Sequence, residues 1–261
     1  MNIWNLLFVS PLTNILLLLY TGLSALHIPG SLGWSIVLLT IIVRGILWPF
    51  TKTQMVQMQK MQKLAPQLKE LKEQHRHDAK KHQEEQLRLY KEHGVNPATG
   101  CLLLVVQLPV LFALYGLLNL IFQTTDPSAL LADLNQKLYF SSLHLTSPLD
   151  TTFFGVSLGA RPSEYATIGW WMLLIPVVTA GLQFLQSKLM PQTSTPPKKE
   201  KKKDEKESTE EMMQGVQKQM MMVFPVMIGI AAYQFPIGLA LYWNTFSVFG
   251  IIQQWQLRKL P

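Results

Sequence analysis

Arg44 is the side chain whose type and position carry the most chemical information, because it is the one charged residue of the apolar run Trp34–Phe50. A charge in the hydrocarbon core of a bilayer costs about 2.5–3.5 kcal/mol on insertion scales, and ionisable residues placed there usually serve a function. Arg44 follows Trp34 by ten residues, which at about 1.5 Å per residue predicts a position near mid-depth. The alternative is an incidental arginine whose long side chain reaches the interface marked by Lys52.

Several uncharged polar side chains could share a site with Arg44. Thr40 precedes it by one helical turn and lies on the same face, and Gln107 lies at a matching depth in the next apolar segment. The other candidates are Gln183 and, in the last apolar segment, Tyr242, Trp243, Asn244 and Ser247. Each of them, taken alone, could simply form a hydrogen bond between helices. None of the apolar segments contains Asp or Glu, so we expect Arg44 to face a water-filled recess, because a dry, unpaired arginine would be very unfavourable.

The sequence predicts no covalent chemistry. The apolar segments lack the paired Asp, the Ser with His or Lys, and the His cluster that intramembrane proteases need. Cys101 is the only cysteine, and no Walker-type nucleotide motif is present. His75, His77 and His82 cluster without supporting cysteines, so we interpret them as solvated polar residues. We therefore expect a protein that is not an enzyme and that needs neither a metal nor another cofactor.

Composition and charge placement indicate an all-α polytopic membrane protein. The 261 residues are 48% hydrophobic and 15% charged, against about a quarter charged in soluble domains. No Lys, Arg, Asp or Glu occurs before Arg44. The net charge of +7 comes from loops, so it does not by itself indicate a specific nucleic-acid partner.

Five apolar segments are predicted to span the bilayer, and the loop charges orient them. The spans are residues 31–50, 99–123, 166–189, 217–233 and 236–256. Ten Lys/Arg lie in 51–98 and eight in 188–218, against two in the loop 124–165. Because positive residues mark the cytoplasmic side, the first span starts outside and the tail 257–261 is cytoplasmic. The fourth span is short, which favours local thinning of the bilayer or a neighbouring recess.

Three flanking segments have distinct patterns. Residues 1–30 carry a polar stripe on an apolar helix, which favours an interfacial helix with Met1 outside over a further span. Residues 51–98 predict a cytoplasmic helical hairpin whose methionine- and leucine-rich stripe forms the seam between its arms, or alternatively an adaptable docking surface. Residues 190–216 predict a disordered charged linker.

Three stretches resemble the YidC/Oxa/Alb family of membrane protein insertases. They are GWSIVLLTIIVRGILWPFTKTQ (Gly33–Gln54), LYKEHGVNPATGCLLLVVQLPVLFALY (Leu89–Tyr115) and FPIGLALYWNTFSVFGIIQQ (Phe235–Gln254). They cover three of the five predicted spans in family order. The chain resembles the minimal bacterial core without the large periplasmic domain.

The resemblance implies a fold, a site and a set of partners. Five spans would enclose a hydrophilic groove that is open to the cytoplasm and to lipid. Arg44, Gln107 and Trp243 match groove positions, and Thr40 and Tyr242 match positions that contact the client, the protein being inserted. The implied partners are nascent membrane proteins, the ribosome, a targeting receptor, the Sec translocon and the lipid bilayer of the bacterial cell membrane.

The residues by themselves are also compatible with two other classes of protein. Arg44 could be the anion site of a small transporter or channel, although the spans hold little else that ionises and no internal repeat is visible. The chain could also be a structural membrane scaffold in which Arg44 is incidental. Insertion of client proteins into lipid, alone or with the translocon, is the function we expect.

Overall fold

Helices dominate the computed structural model, which describes residues 2–75, 78–96, 99–189 and 223–258. After a π-helical turn at Asn5–Val9, the helices are α1 (Ser10–Ala25), α2 (Ser31–Ile46), α3 (Trp48–Gln74), α4 (Ala79–Glu92), α5 (Thr99–Gln123), α6 (Pro127–Gln136), α7 (Tyr165–Ile168), α8 (Leu174–Leu189), α9 (Val223–Gln234) and α10 (Ile237–Arg258). A single-turn 3₁₀ helix, Trp170–Leu173, leads into α8. The predicted linker 190–216 and residues 217–222 and 259–261 lie outside the described residues.

The first half of α1 turns three polar side chains towards the protein. Ser10, Thr13 and Asn14 are buried beside Leu17, whereas Leu18 is exposed. Asn14 Nδ2 donates to the Lys137 carbonyl at 2.9 Å. Asn14 of the polar stripe therefore supplies hydrogen-bonding groups to the loop that follows α6.

Helix α2 ends earlier than its apolar sequence suggests. It stops at Ile46, and α3 begins at Trp48 after a bend of 60°. Pro49 occupies the first turn of α3, and because proline has no amide hydrogen it cannot donate to the Gly45 carbonyl and continue α2. Arg44 consequently lies in the last turn of α2.

Helices α3 and α4 form a hairpin in the segment 51–98. Leu64, Tyr90 and Val95 are buried together, with Met61 and Leu68 packed against them. The methionine- and leucine-rich stripe thus provides part of the contact between the two arms. The Asp78 side chain caps α4 by accepting from the Lys81 amide at 3.0 Å, which is the usual role of Asp at this position.

The loop between α5 and α8 is folded. The Asp126 carboxylate caps α6, and hydrogen bonds from the hydroxyl and amide of Ser128 lower the pKa of Asp126. A two-stranded antiparallel hairpin, β1 (Thr152–Phe153) and β2 (Val156–Ser157), follows. The carbonyls of Leu158 and Ala160 accept from the Gly238 and Ile237 amides at 2.8 Å each, so the loop satisfies amides that the first turn of a helix leaves without partners.

The main apolar core joins α1, α2, α5, α6 and α10 to this loop. Helix α10 packs chiefly against α8 and α2. Asn5–Ala25 and Trp170–Leu189 are long and apolar enough to cross a membrane, and α2 with α3 would add a third crossing if the bent pair counts as one span. The chain is therefore an almost entirely helical protein with helices suited to a bilayer.

Candidate functional site

Arg44 lies between α2 and α10. Its Nη2 donates to the Phe246 carbonyl at 2.9 Å, and its Nη1 makes a longer contact of 3.4 Å with Gln253 Oε1. The Arg44 Cζ lies 3.4 Å from the centroid of the Phe246 ring, so the cation rests on the electron-rich face of an aromatic ring. The position in the last turn of α2 also suits a cation, because the helix dipole is negative at that end.

Arg44 does not face water in this structure. Only 4% of its surface is exposed, which contradicts the expectation of a hydrated environment. An arginine without a carboxylate partner does not have to be solvated when other groups satisfy it. Here a backbone carbonyl, a glutamine and an aromatic face supply the contacts instead.

Thr40, Tyr242 and Ser247 are buried close to this arginine in the helix packing. The Thr40 hydroxyl donates to the Ile36 carbonyl of its own helix at 2.6 Å. Tyr242 stacks beside Phe246 with ring centroids 5.9 Å apart. The Ser247 hydroxyl donates to Gln183 Oε1 at 3.1 Å and so links α10 to α8. Three of the predicted residues therefore lie on helix faces that meet around α10.

Trp243, Asn244 and Gln107 stand in different surroundings. Trp243 lies beside Phe235, with ring centroids 6.1 Å apart. Asn244 Oδ1 and Gln107 Nε2 are buried and have no hydrogen-bond partner among the described residues. Among the residues that the structure describes, no hydrogen bond joins Gln107 to Arg44, so the sequence-predicted set is only partly assembled in one place.

The sequence interpretation missed four residues that complete the surroundings of Arg44. Phe246 and Gln253 contact it directly. Gly250 lies between them, and Gln186 approaches Gly250 from α8. Phe246, Gly250 and Gln253 lie four and then three residues apart on α10. They continue the helix face that begins at Tyr242, and this spacing was the signal that the sequence offered.

The arrangement places one cation among uncharged polar and aromatic groups. One cation is surrounded by amide, hydroxyl and aromatic groups, and its hydrogen-bond partners in the described part of the chain are uncharged. The Arg44 Nε and Gln186 Oε1 have no hydrogen-bond partner among the described residues. No cluster of His, Cys, Asp or Glu that could hold a metal ion occurs among the described residues.

The chain is similar to known proteins over most of its length. The profile of a family described as 60Kd inner membrane protein matches residues 24–261. A protein named membrane protein insertase YidC from Fusobacterium nucleatum is 33% identical over 230 residues, covering 88% of this chain and 87% of the relative. Inner membrane protein ALBINO3 of Arabidopsis thaliana is 32% identical over 262 residues, covering 97% of this chain and 52% of the relative. A Granulibacter bethesdensis insertase is 28% identical over 90% of this chain, which spans 36% of that longer protein.

Proposed function

Because the chain belongs to the family of the 60Kd inner membrane protein, which includes the YidC insertases and ALBINO3, we propose that it inserts nascent membrane proteins into the lipid bilayer. Arg44 would bind acidic or polar client segments as they enter. The apolar spans of the client would then pass into lipid, which is favourable by roughly 0.3–0.6 kcal/mol for each Leu, Ile or Phe.

The observation that supports this proposal is the cation buried without a carboxylate. Arg44 meets only uncharged oxygen acceptors in the described part of the chain, so its charge is not neutralised. A neutralised arginine would have little attraction left for an acidic client. An arginine held by a carbonyl and an amide keeps its charge for a stronger acceptor.

The proposal includes a site and a topology. Five spans would surround a groove between α2, α5, α8 and α10, with Thr40, Gln107, Tyr242, Trp243, Asn244 and Ser247 as the polar residues that a client meets. The N-terminus would lie outside and the C-terminus in the cytoplasm of a bacterial cell. Ribosomes, a targeting receptor and the Sec translocon would deliver or share clients, through cytoplasmic parts such as the hairpin of α3 and α4.

Replacement of Arg44 tests this function. In proteoliposomes, Arg44→Ala is expected to slow insertion of a client with an acidic N-terminal tail by about tenfold or more, since a hydrogen bond to a charged group contributes about 1.5–3 kcal/mol. Arg44→Lys keeps the charge and should retain part of the activity. The measurement is protease protection of the client after translation in the presence of the vesicles.

A client with a neutral tail of equal length is the matched control and should depend little on Arg44. Thermal unfolding of each variant in detergent separates loss of function from loss of fold. Wild-type insertion of the acidic client by Arg44→Ala would contradict the proposal. Solute flux through the same vesicles without any nascent chain would favour a transporter instead.

A further inference from the structure

Arg44 is covered by α10 in a way that blocks carboxylate binding. A guanidinium binds a carboxylate in two parallel hydrogen bonds along one of its edges. A guanidinium has two edges that no carbon atom blocks: one is formed by Nε and Nη2, and the other by Nη1 and Nη2. Both edges include Nη2, so a carboxylate that binds in this way must contact Nη2. In this structure Nη2 donates to the Phe246 carbonyl, and the Phe246 ring covers one face of the guanidinium.

Gly250 is what allows this close approach. A Cβ atom at this position would lie 2.5 Å from Gln186 Nε2 and 2.9 Å from Arg44 Nη2. Both distances are too short for carbon, so any side chain at position 250 would force these polar groups to move. Gly250 follows Phe246 by one helical turn, directly over the carbonyl that Arg44 contacts.

A small residue in a membrane helix usually allows two backbones to pack closely. Gly229 of α9 fits that description, because its Cβ would meet Ala180 Cβ at 2.9 Å and the Pro176 carbonyl at 3.4 Å. At Gly250 the nearest atoms are instead the ends of two polar side chains. The contrast indicates a role in placing Arg44 and not only in helix packing.

We propose that Gly250 is a positioning residue that holds Arg44 against the Phe246 carbonyl in a closed state of the client site. A client carboxylate then binds by replacing this carbonyl at Nη2 while it also takes the free Nε. The inference rests on the proposed function for the identity of the ligand. The closed state itself depends only on the contacts of Arg44, Phe246 and Gly250.

Arginine modification by phenylglyoxal, followed by mass spectrometry of the protein in lipid nanodiscs, measures this cover directly. Arg88 is the internal reference, because its side chain is 69% exposed. Arg44 should react much more slowly than Arg88 in the wild type. Gly250→Ala should raise the Arg44 rate by about tenfold, which is the change expected when one hydrogen bond to a charged group is lost.

Gly181→Ala is the matched control, since Gly181 is a helical glycine of α8 whose Cβ would meet nothing within 4 Å. The Arg44 rate should stay at the wild-type value in this variant. Phe246→Leu is a second test that keeps the helix but removes the ring, and it should also raise the Arg44 rate. Phe246→Leu therefore tests the cover over Arg44 even if Gly250→Ala does not fold.

Equal rates for Arg44 and Arg88 in the wild type would overturn the closed state. Unchanged Arg44 protection in Gly250→Ala would overturn the role of Gly250. In the presence of a peptide with an acidic tail, Arg44 of Gly250→Ala should become protected again, whereas a neutral peptide should have no effect. Gly250→Ala could raise the modification rate of Arg44 while Arg44→Ala still inserts acidic clients at the wild-type rate. That result would support the closed state and contradict the proposed function.

Discussion

At the residue scale, two buried polar side chains, Arg44 and Asn14, bind backbone groups from distant parts of the chain. Arg44 contacts the Phe246 carbonyl. Asn14 donates to the Lys137 carbonyl at 2.9 Å and accepts from the Tyr139 amide at 2.8 Å. A side chain that satisfies a backbone carbonyl and amide at once fixes the position of a loop that has no regular structure of its own.

Asn14 is therefore expected to contribute strongly to stability. Asn14→Ala leaves the Lys137 carbonyl and the Tyr139 amide without this partner, which should lower the free energy of unfolding by about 2–3 kcal/mol. Asn119→Ala is the control, because Asn119 Oδ1 accepts an exposed hydrogen bond from Gln123 one turn away and should change stability by only a few tenths of a kcal/mol. Denaturant titration in detergent measures both, and equal effects would contradict the role of Asn14.

The type and approximate face of the site residues could be predicted from the sequence, but their partners could not. Arg44 and Thr40 share a face of α2 because helical spacing requires it. The partner of Arg44 lies 202 residues away, and no local pattern reports which helix crosses there. A backbone carbonyl and an aromatic ring take the place of water around Arg44, and backbone groups carry no signal in the sequence.

At the element scale, the hairpin of β1 and β2 packs against the start of α2 through one aromatic ring. The Phe153 ring occupies a notch formed by Gly30 and Gly33, where a Cβ at Gly30 would lie 2.6 Å from Phe153 Cδ2 and one at Gly33 would lie 2.6 Å from Phe153 Cε2. Trp34 packs edge-on against Phe153, with centroids 5.7 Å apart. The ring thus connects the loop between α5 and α8 to a helix that carries Arg44.

A double-mutant cycle tests this connection. Gly33→Ala should lower the free energy of unfolding by about 1–3 kcal/mol, because the added methyl overlaps the Phe153 ring. Phe153→Ala removes the ring, so the methyl should cost much less in that background. Gly22→Ala is the control, since Gly22 of α1 has open space around it. Additive effects of the Gly33 and Phe153 changes would contradict the notch.

The elements differ in how well the sequence predicts them. The start of α4 was predictable, because Asp78 is a strong capping residue before an amphipathic run. The β hairpin was not predicted, because its two-residue turn places Phe154 at φ 48° and Gly155 at φ 82°. Turns of this kind favour Asn-Gly or Asp-Gly, so Phe-Gly gave little signal. Packing of Phe153 against α2 overrides that local preference.

At the scale of the whole molecule, α1 packs chiefly against α2 and also contacts one loop at two positions. Asn14 contacts the backbone at residues 137 and 139, and the Tyr20 hydroxyl accepts from the Asp150 amide at 2.9 Å. Asn14 and Tyr20 lie six residues apart, or about 9 Å along the helix. We expect α1 to lie across the outer face of the protein together with this loop, although its length and composition also permit a crossing.

Labelling from each side of the membrane tests this placement. With Cys101 replaced by Ser, Asn2→Cys should react with an impermeant maleimide added outside the cell, because α1 would keep both of its ends on that side. Ser141→Cys, in the loop that contacts α1, is the matched outside control. Reaction of Asn2→Cys only after the membrane is opened would mean that α1 crosses the bilayer.

The hydrogen bonds from the Ile237 and Gly238 amides to the loop fix one end of α10 and give the helix a pivot. Gln253 lies 16 residues from Ile237, or roughly 24 Å along the axis. A tilt of about 10° around that pivot moves the far end by about 4 Å at this length, while the anchored end hardly shifts. Under the proposed topology, such a tilt would uncover Arg44 from the cytoplasmic side while the bonds between α10 and the outer loop stay intact, so a client could enter without opening a path for ions.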